Sequence, residues 1–263
     1  MKIQYVPLLQ IMRDLQGIPR GLERFREYLR TFTKPGTEGP EVEFPSLVFT
    51  NPLGREHVTE LLDALLAVDA DGIAIRTAAD AAARLGDAPG DYKLGVVVVD
   101  DLKGGWTNRY DYEFNLRFPS GSSAPGEARP PKWLKHFWLT SVLWSSEPAS
   151  EHAVREAVLT TVHRAAYIGR HGGARTLREK LAQEGHVMTA AGCDGPSIDA
   201  DDLAYTREVI APFLESDDKR ITIECLFGDK AGRTLGFTPR GLTHWAGLAL
   251  ALHDARAALE ARR

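Results

Sequence analysis

The spacing of hydrophobic positions predicts helices in the first third of the chain. Apolar residues recur at helical intervals over residues 6–32, 55–67 and 70–85, with a break in the first segment near Gly17. Between the first two segments, residues 33–46 are rich in Pro and Gly and predict a loop. Residues 1–90 are therefore interpreted as a helical part of the chain that packs as a subdomain.

The period changes after residue 90, and four segments predict strands. Residues 93–100 contain a run of valines, which is typical of a strand buried on both faces. Residues 109–118, RYDYEFNLRF, alternate polar and apolar side chains, as a half-buried strand does. The loop at 102–108 has hairpin length, so these two strands are expected to pair antiparallel. Residues 135–145 and 220–227 predict the other two strands.

Further helices are expected over 150–169, 174–184, 203–214 and 230–262. The chain is therefore predicted to adopt an α+β fold, in which about seven helices pack on a small, mainly antiparallel sheet. A lone late strand is not stable by itself, so residues 220–227 are expected to join the same sheet. This favours a single domain spanning residues 1–263.

Composition and charge exclude several classes of protein. Hydrophobic residues make up 43% and charged residues 26% of the 263 residues, which is ordinary for a soluble globular protein. The net charge of −4 argues against a nucleic-acid partner bound by a basic surface. No apolar run approaches about 18 residues and the N-terminus does not resemble a signal peptide, so we expect no membrane association and a cytoplasmic protein.

The basic and sulfur-containing residues add two expectations. Arg outnumbers Lys by 23 to 9, which indicates a GC-rich bacterial genome. Cys193 and Cys225 form no metal-binding spacing, and we expect them to be buried, reduced thiols rather than a disulfide.

The segment DDLKGGWTNR, which follows the valine run, contains the first candidate site. Asp100 and Asp101 follow the buried strand, where an acid can serve as a general base or metal ligand. Trp106, Asn108 and Arg109 offer a stacking plane, an amide and a guanidinium fork for a substrate. The ordinary alternative is a turn followed by the solvated face of a strand, since antiparallel sheets often leave one face wet.

The helix over 150–169 contains a candidate metal site. His152, Glu156 and His163 fall in one sector of this helix and are candidate ligands of a divalent metal, with His57 or His171 as further ligands. His152 and His163 are three turns apart, about 16 Å, so only Glu156 with one of them can share an ion. The alternative is the polar face of an amphipathic helix.

The junction between two predicted helices contains a candidate anion site. Arg170, His171, Arg175 and Thr176 surround Gly172-Gly173, and a helix is expected to begin there. Free N–H groups at a helix N-terminus, flanked by Arg, bind anions. The alternative is a glycine cap that only ends one helix before the next.

No sequence signature of a known reaction is present, such as GxSxG, a Walker loop or a kinase motif. Our leading hypothesis is an enzyme that binds a small polar or anionic substrate in a pocket formed by the turn at 100–109 and the junction at 170–176. Asp100 and Asp101 would carry the chemistry, while Arg109 and Arg175 would hold the anion.

Two alternatives belong to other classes of protein. A non-enzymatic module could form homo-oligomers through a surface made by Trp133, Trp138 and Trp144. A metalloprotein would use the His and Glu residues of the 150–169 helix.

Overall fold

A computed structural model describes residues 1–36, 39–42, 53–102, 108–119 and 137–261. In chain order the elements are β1 (Lys2–Tyr5), α1 (Leu9–Gly17), α2 (Leu22–Phe32), β2 (Thr33–Gly36), β3 (Gly39–Val42), α3 (Glu56–Ala67), α4 (Ala70–Leu85), β4 (Asp91–Val99), α5 (Arg109–Arg117), β5 (Phe137–Trp144), α6 (Glu151–His171), α7 (Leu177–Ala191), α8 (Ala200–Ile210), a 3-10 turn (Ala211–Phe213), α9 (Lys219–Phe227), α10 (Asp229–Thr234) and α11 (Ala246–Glu260). The described residues thus hold more helices than the seven expected.

The chain folds into two compact units. Among the described residues, the first unit contains 1–36, 39–42, 53–102 and 137–169, and the second contains 108–119 and 170–261. The first unit therefore holds the strands and α1 to α4 with most of α6, whereas the second is helical.

The sheet of the first unit is parallel, and the prediction of a mainly antiparallel sheet is wrong. Its strand order is β1-β4-β5, and both pairings are parallel, with Tyr5 opposite Leu94 and Val99 opposite Trp144. The prediction failed because residues 109–117, taken as the hairpin partner of β4, form a helix. The next strand along the chain is β5. It lies parallel to β4, and two parallel strands must be connected by a long crossover segment rather than by a hairpin turn.

The predictions for β4 and β5 themselves are confirmed within two residues at each end. β4 is the central strand, and its residues from Leu94 to Val99 are buried, as the valine run indicated. Leu8 packs so closely on the middle of β4 that a Cβ added to Gly95 would lie 2.5 Å from its Cδ1 atom. Two elements were not predicted: β1, and an antiparallel hairpin of β2 and β3 inside the expected loop.

The predicted strand at 109–118 is the helix α5. Asn108 caps it, because its side-chain oxygen accepts hydrogen bonds from the N–H groups of Tyr110 and Asp111. Arg109 and Arg117 both pair with Glu113, one turn away on either side. These contacts exist only in a helix, so the local chemistry of the polar residues overrides the alternating pattern.

The predicted strand at 220–227 is the helix α9, which is also a correction. Asp218 caps it by accepting a hydrogen bond from Ile221 N–H, and Arg220 pairs with Glu224 across one turn. Every residue from Thr222 to Phe227 is buried in the core of the second unit. A helix that is buried on all sides shows no one-sided apolar stripe, and a short, mainly apolar run of this kind does not distinguish it from a strand.

The second unit packs its helices around α11. α11 contacts α7, α8 and α9, and Gly185 and Gly247 lie at two of these contacts. Cys193 and Cys225 are buried thiols that form no disulfide, as expected, and burial raises the pKa of the Cys225 thiol to about 12. None of the described helices is both long enough and apolar enough to cross a membrane.

Candidate functional site

A cluster of polar side chains lies where two neighbouring parallel strands end. Asp100 and Asp101 directly follow β4, and Ser145 and Ser146 directly follow β5. The register continues past the strands, because Ser145 N–H donates to Val99 O at 3.0 Å. The two pairs of residues therefore meet at the carboxyl edge of the sheet, which is where open α/β sheets bind ligands.

Asp100 is the buried centre of this cluster, with 2% of its surface exposed. Its Oδ1 atom accepts hydrogen bonds from Ser145 Oγ at 2.7 Å and from Leu102 N–H at 3.1 Å, and His57 Nε2 lies 2.9 Å away. Burial by itself would raise the pKa of Asp100, but the hydrogen bonds from Ser145, His57 and Leu102 N–H lower it below its usual value. Asp100 is therefore an ionised carboxylate at neutral pH.

The two carboxylate oxygens of Asp100 differ in the number of hydrogen bonds that they accept. Oδ2 is buried and has no hydrogen-bond partner among the described residues, whereas Oδ1 has three. A buried acceptor that is left unsatisfied costs about 1–3 kcal/mol, and more when it is charged. Such an atom in a native site requires an explanation, and a bound donor is one.

Asp101 holds the segment after β5 against the end of β4. Its Oδ1 accepts a hydrogen bond from Ser146 N–H at 2.9 Å, and its Oδ2 accepts one from Ser146 Oγ at 2.7 Å. Ser145 Oγ also lies 3.2 Å from Asp101 Oδ1, but a hydroxyl has one proton, and the contact to Asp100 is the shorter. Asp101 N–H donates to Ser145 Oγ at 3.1 Å, so Asp101 contacts both serines.

His57 comes to the cluster from α3, where it is the second residue. Its side chain is 25% exposed, so solvent reaches the imidazole beside the buried carboxylate. When Nε2 donates its proton to Asp100, the other ring nitrogen, Nδ1, keeps its lone pair. A carboxylate that orients an imidazole in this way prepares it to accept a proton.

Only part of this cluster is predicted from the sequence. Asp100 and Asp101 are candidate site residues, whereas His57 is a candidate metal ligand only, and Ser145 and Ser146 are not among the candidates. The position of the serines directly after an apolar strand is the signal that could have found them. His57 is 43 residues from Asp100, and no local pattern connects the two.

Other predicted site residues stabilise local structure in the second unit. Asn108 caps α5, and Arg109 pairs with Glu113 at 2.9 Å while its guanidinium lies 5.6 Å from the centre of the Trp245 indole ring. Asp100 and Asp101 belong to the first unit, and Asn108 and Arg109 belong to the second. Trp106 lies outside the described residues.

The junction at 170–176 begins α7 with a capping box. Thr176 Oγ1 accepts a hydrogen bond from Glu179 N–H, and the Glu179 carboxylate accepts from the N–H groups of Arg175 and Thr176. These hydrogen bonds lower the pKa of Glu179. The Glu179 carboxylate therefore accepts from N–H groups that the sequence predicted would bind an external anion. Arg170 and His171 are the last two residues of α6.

The predicted metal ligands lie on α6. His152 Nε2 and Glu156 Oε2 are 3.3 Å apart on an exposed face, and His163 lies three turns further on. Among the described residues, no three His, Cys, Asp or Glu side chains gather so that they could hold a metal ion. Metal binding stays a prediction without a ligand set to support it.

The predicted Trp-rich surface is described in part. Trp144 is buried, Trp138 is half-buried with Lys93 Nζ 5.6 Å from the centre of its ring, and Trp133 lies outside the described residues.

Comparison of the chain with protein-family models, with curated proteins and with solved structures finds no match. The geometry of the cluster is therefore the basis for any functional proposal.

Proposed function

We propose that the protein is an enzyme that performs general acid–base chemistry on a small polar substrate at the carboxyl edge of its parallel sheet. The observation that carries this proposal is the contact between His57 Nε2 and Asp100 Oδ1, with Asp100 buried directly after β4. A buried carboxylate paired with a partly exposed imidazole is a common form of a catalytic base.

In the proposed mechanism, His57 Nδ1 accepts a proton from the substrate or from a water that attacks it. The imidazolium that forms is stabilised by Asp100, which is ionised and 2.9 Å from Nε2. Ser145 donates to the same oxygen of Asp100 and so keeps the carboxylate in position. His57 then returns the proton to the leaving group or product.

The expected setting follows from the composition. The proposal places the enzyme in the cytoplasm of a bacterium, with a small molecule and not a nucleic acid as its partner. The net charge of −4 and the two buried cysteines, which form no disulfide, support this setting. A homo-oligomer formed through Trp138 and its neighbours remains a separate hypothesis.

The test is to incubate the protein with a bacterial metabolite extract and to follow by mass spectrometry which compounds are consumed. The wild-type protein should consume at least one compound, and His57→Ala and Asp100→Asn should each reduce the initial rate at least about 100-fold, as loss of a general base does. His152→Ala is the matched control, because His152 lies on the exposed face of α6 in the same unit.

Two results would overturn the proposal. One is a protein that consumes no compound in extracts prepared from several growth conditions. The other is consumption that continues at the wild-type rate in His57→Ala. A loss of rate in His152→Ala equal to that in His57→Ala would instead assign the chemistry to the face of α6.

A further inference from the structure

The charge of the cluster restricts the ligand that it can accept. Asp100 is ionised, and the only side chain among its described contacts that can carry a positive charge is His57. If His57 is the base, it is neutral before the reaction, so the negative charge of Asp100 is not balanced by the described contacts. A buried, unbalanced carboxylate favours a ligand that brings a positive charge.

The hydrogen-bond pattern restricts the ligand further. Oδ1 of Asp100 already faces three donors, whereas Oδ2 is buried and has no donor among the described residues, so a further donor would bind to Oδ2. A guanidinium fork needs both oxygens of a carboxylate, so it does not match this site. Within the described parts of the chain no three His, Cys, Asp or Glu side chains gather, so the cluster offers no set of protein ligands that favours a metal ion over an organic cation.

A primary ammonium group satisfies both restrictions. Its charge is compact, and each of its N–H groups donates a separate hydrogen bond. One of these N–H groups would donate to Oδ2, which otherwise has no donor among the described residues. We propose that the substrate is a small primary amine whose ammonium group binds to Asp100 Oδ2, next to His57. This inference rests on the proposed function, since it names the substrate class of the same site, and it replaces the anionic substrate expected from the sequence.

Bound in this way, the ammonium group positions the substrate rather than reacting. Asp100 joins the two partners, with the imidazole on Oδ1 and the ammonium on Oδ2. Asp101 and the serines hold the edge of the sheet and do not touch the ammonium in this arrangement.

The experiment measures binding of ethylammonium chloride to the whole protein at pH 7 and constant ionic strength. The readout is the shift of the imidazole resonances of His57 in a protein labelled with ¹⁵N at histidine. A ligand of three heavy atoms binds no more tightly than roughly millimolar, so the titration extends to about 100 mM. Tetramethylammonium has the same charge but no N–H donor, and guanidinium has the fork geometry.

We expect ethylammonium to shift the His57 resonances saturably and the other two cations to bind at least about tenfold more weakly. Asp100→Asn should weaken ethylammonium binding about tenfold or more. Asp80→Asn, an exposed charge change on α4, should have no effect.

Each outcome decides the question. If tetramethylammonium binds as well as ethylammonium, or if Asp100→Asn binds ethylammonium with wild-type affinity, the inference is wrong. The comparison of the three cations uses the wild-type protein, so it holds even if Asp100→Asn does not fold. The metabolite assay is independent: if His57-dependent turnover acts only on compounds without an amino group, the amine inference fails while the proposed function stands.

Discussion

At the scale of single residues, the pKa of Asp100 is determined by a balance between burial and hydrogen bonding. Burial acts to raise the pKa of this carboxyl, and the hydroxyl of Ser145, His57 and Leu102 N–H act to lower it. Since the net direction is downward, we expect Ser145→Ala to raise the pKa of Asp100. The measurement is the pH titration of the Asp100 carboxyl carbon by NMR, with Ser146→Ala as the control.

Ser146 contacts Asp101 and not Asp100, so its hydroxyl should not affect the pKa of Asp100. A pKa of Asp100 that stays unchanged in Ser145→Ala, or rises equally in Ser146→Ala, would contradict the assigned hydrogen bonds. The lost hydrogen bond to a charged group should also lower the free energy of unfolding of Ser145→Ala by about 1–3 kcal/mol at pH 7.

The residues around Asp100 show which parts of a site can be predicted from the sequence. Asp100 and Asp101 were predicted from their place after a run of valines, because the end of a buried strand is a local feature. His57 and Ser145 reach Asp100 from 43 and 45 residues away. Those contacts depend on the parallel pairing of β4 with β5 and on the packing of α3, which no local pattern reports.

At the scale of elements, α5 explains why a strict alternation of polar and apolar residues did not make a strand. Arg109, Glu113 and Arg117 are spaced by four residues, which satisfies both a period of two and the one-turn spacing of a helix. In the helix they form one continuous ion-paired row, which ends on the buried Glu184. The cap at Asn108 then determines where the helix begins.

The cap of α5 gives a second prediction. Asn108→Ala removes the acceptor for two backbone N–H groups and should lower the free energy of unfolding by about 1 kcal/mol. Asn108→Asp keeps an acceptor in the same place and should stay within about 0.5 kcal/mol of the wild type. Urea denaturation of the three proteins measures the difference, and equal stabilities would show that the cap is not needed.

The contact between α9 and α11 gives a third. A Cβ added at Gly247 would lie 2.3 Å from the backbone oxygen of Cys225, so Gly247→Ala should force the helices apart and lower the free energy of unfolding by about 1–3 kcal/mol. Gly232→Ala in α10 is the matched control, because its new Cβ meets no atom closer than 3.9 Å. It should be neutral or slightly stabilising, since Ala favours a helix. Thermal unfolding that ranks the two substitutions in the opposite order would contradict this packing.

Whole elements were predicted to different degrees for one physical reason. The strands β4 and β5, and the helices other than α5 and α9, carry their own pattern in one continuous segment. The direction of a strand pair, and whether a short buried segment such as 220–227 is a helix or a strand, depends on what surrounds it. The α+β class was therefore predicted correctly, and the antiparallel sheet was not.

At the scale of the whole molecule, the two units are expected to respond to acid at different pH values. In the second unit, burial lowers the pKa of His244, and the nearby charges of Lys230 and Arg109 lower it further, against the opposite effect of Glu113. His244 Nε2 lies 3.0 Å from Tyr110 Oη. In the first unit, Asp100 is the carboxyl whose pKa is lowered.

The directions of these two pKa shifts predict that, as the pH falls, the second unit loses stability before the first. A histidine whose folded pKa is depressed takes up its proton first in the unfolded state, so the second unit should lose stability as the pH falls below about 6.5, the usual pKa of histidine. Asp100 contributes stability that is present above its usual pKa of about 3.9 and is lost only as the pH falls through its lower folded value.

Hydrogen exchange, corrected for intrinsic rates, should therefore show α11 losing protection between pH 7 and 5 while β4 keeps its protection. His244→Gln does not titrate and should reduce the loss in α11, whereas His152→Gln, on the exposed face of α6, should not. Protection of α11 that is independent of pH in this range would show that His244 is not buried in its neutral form.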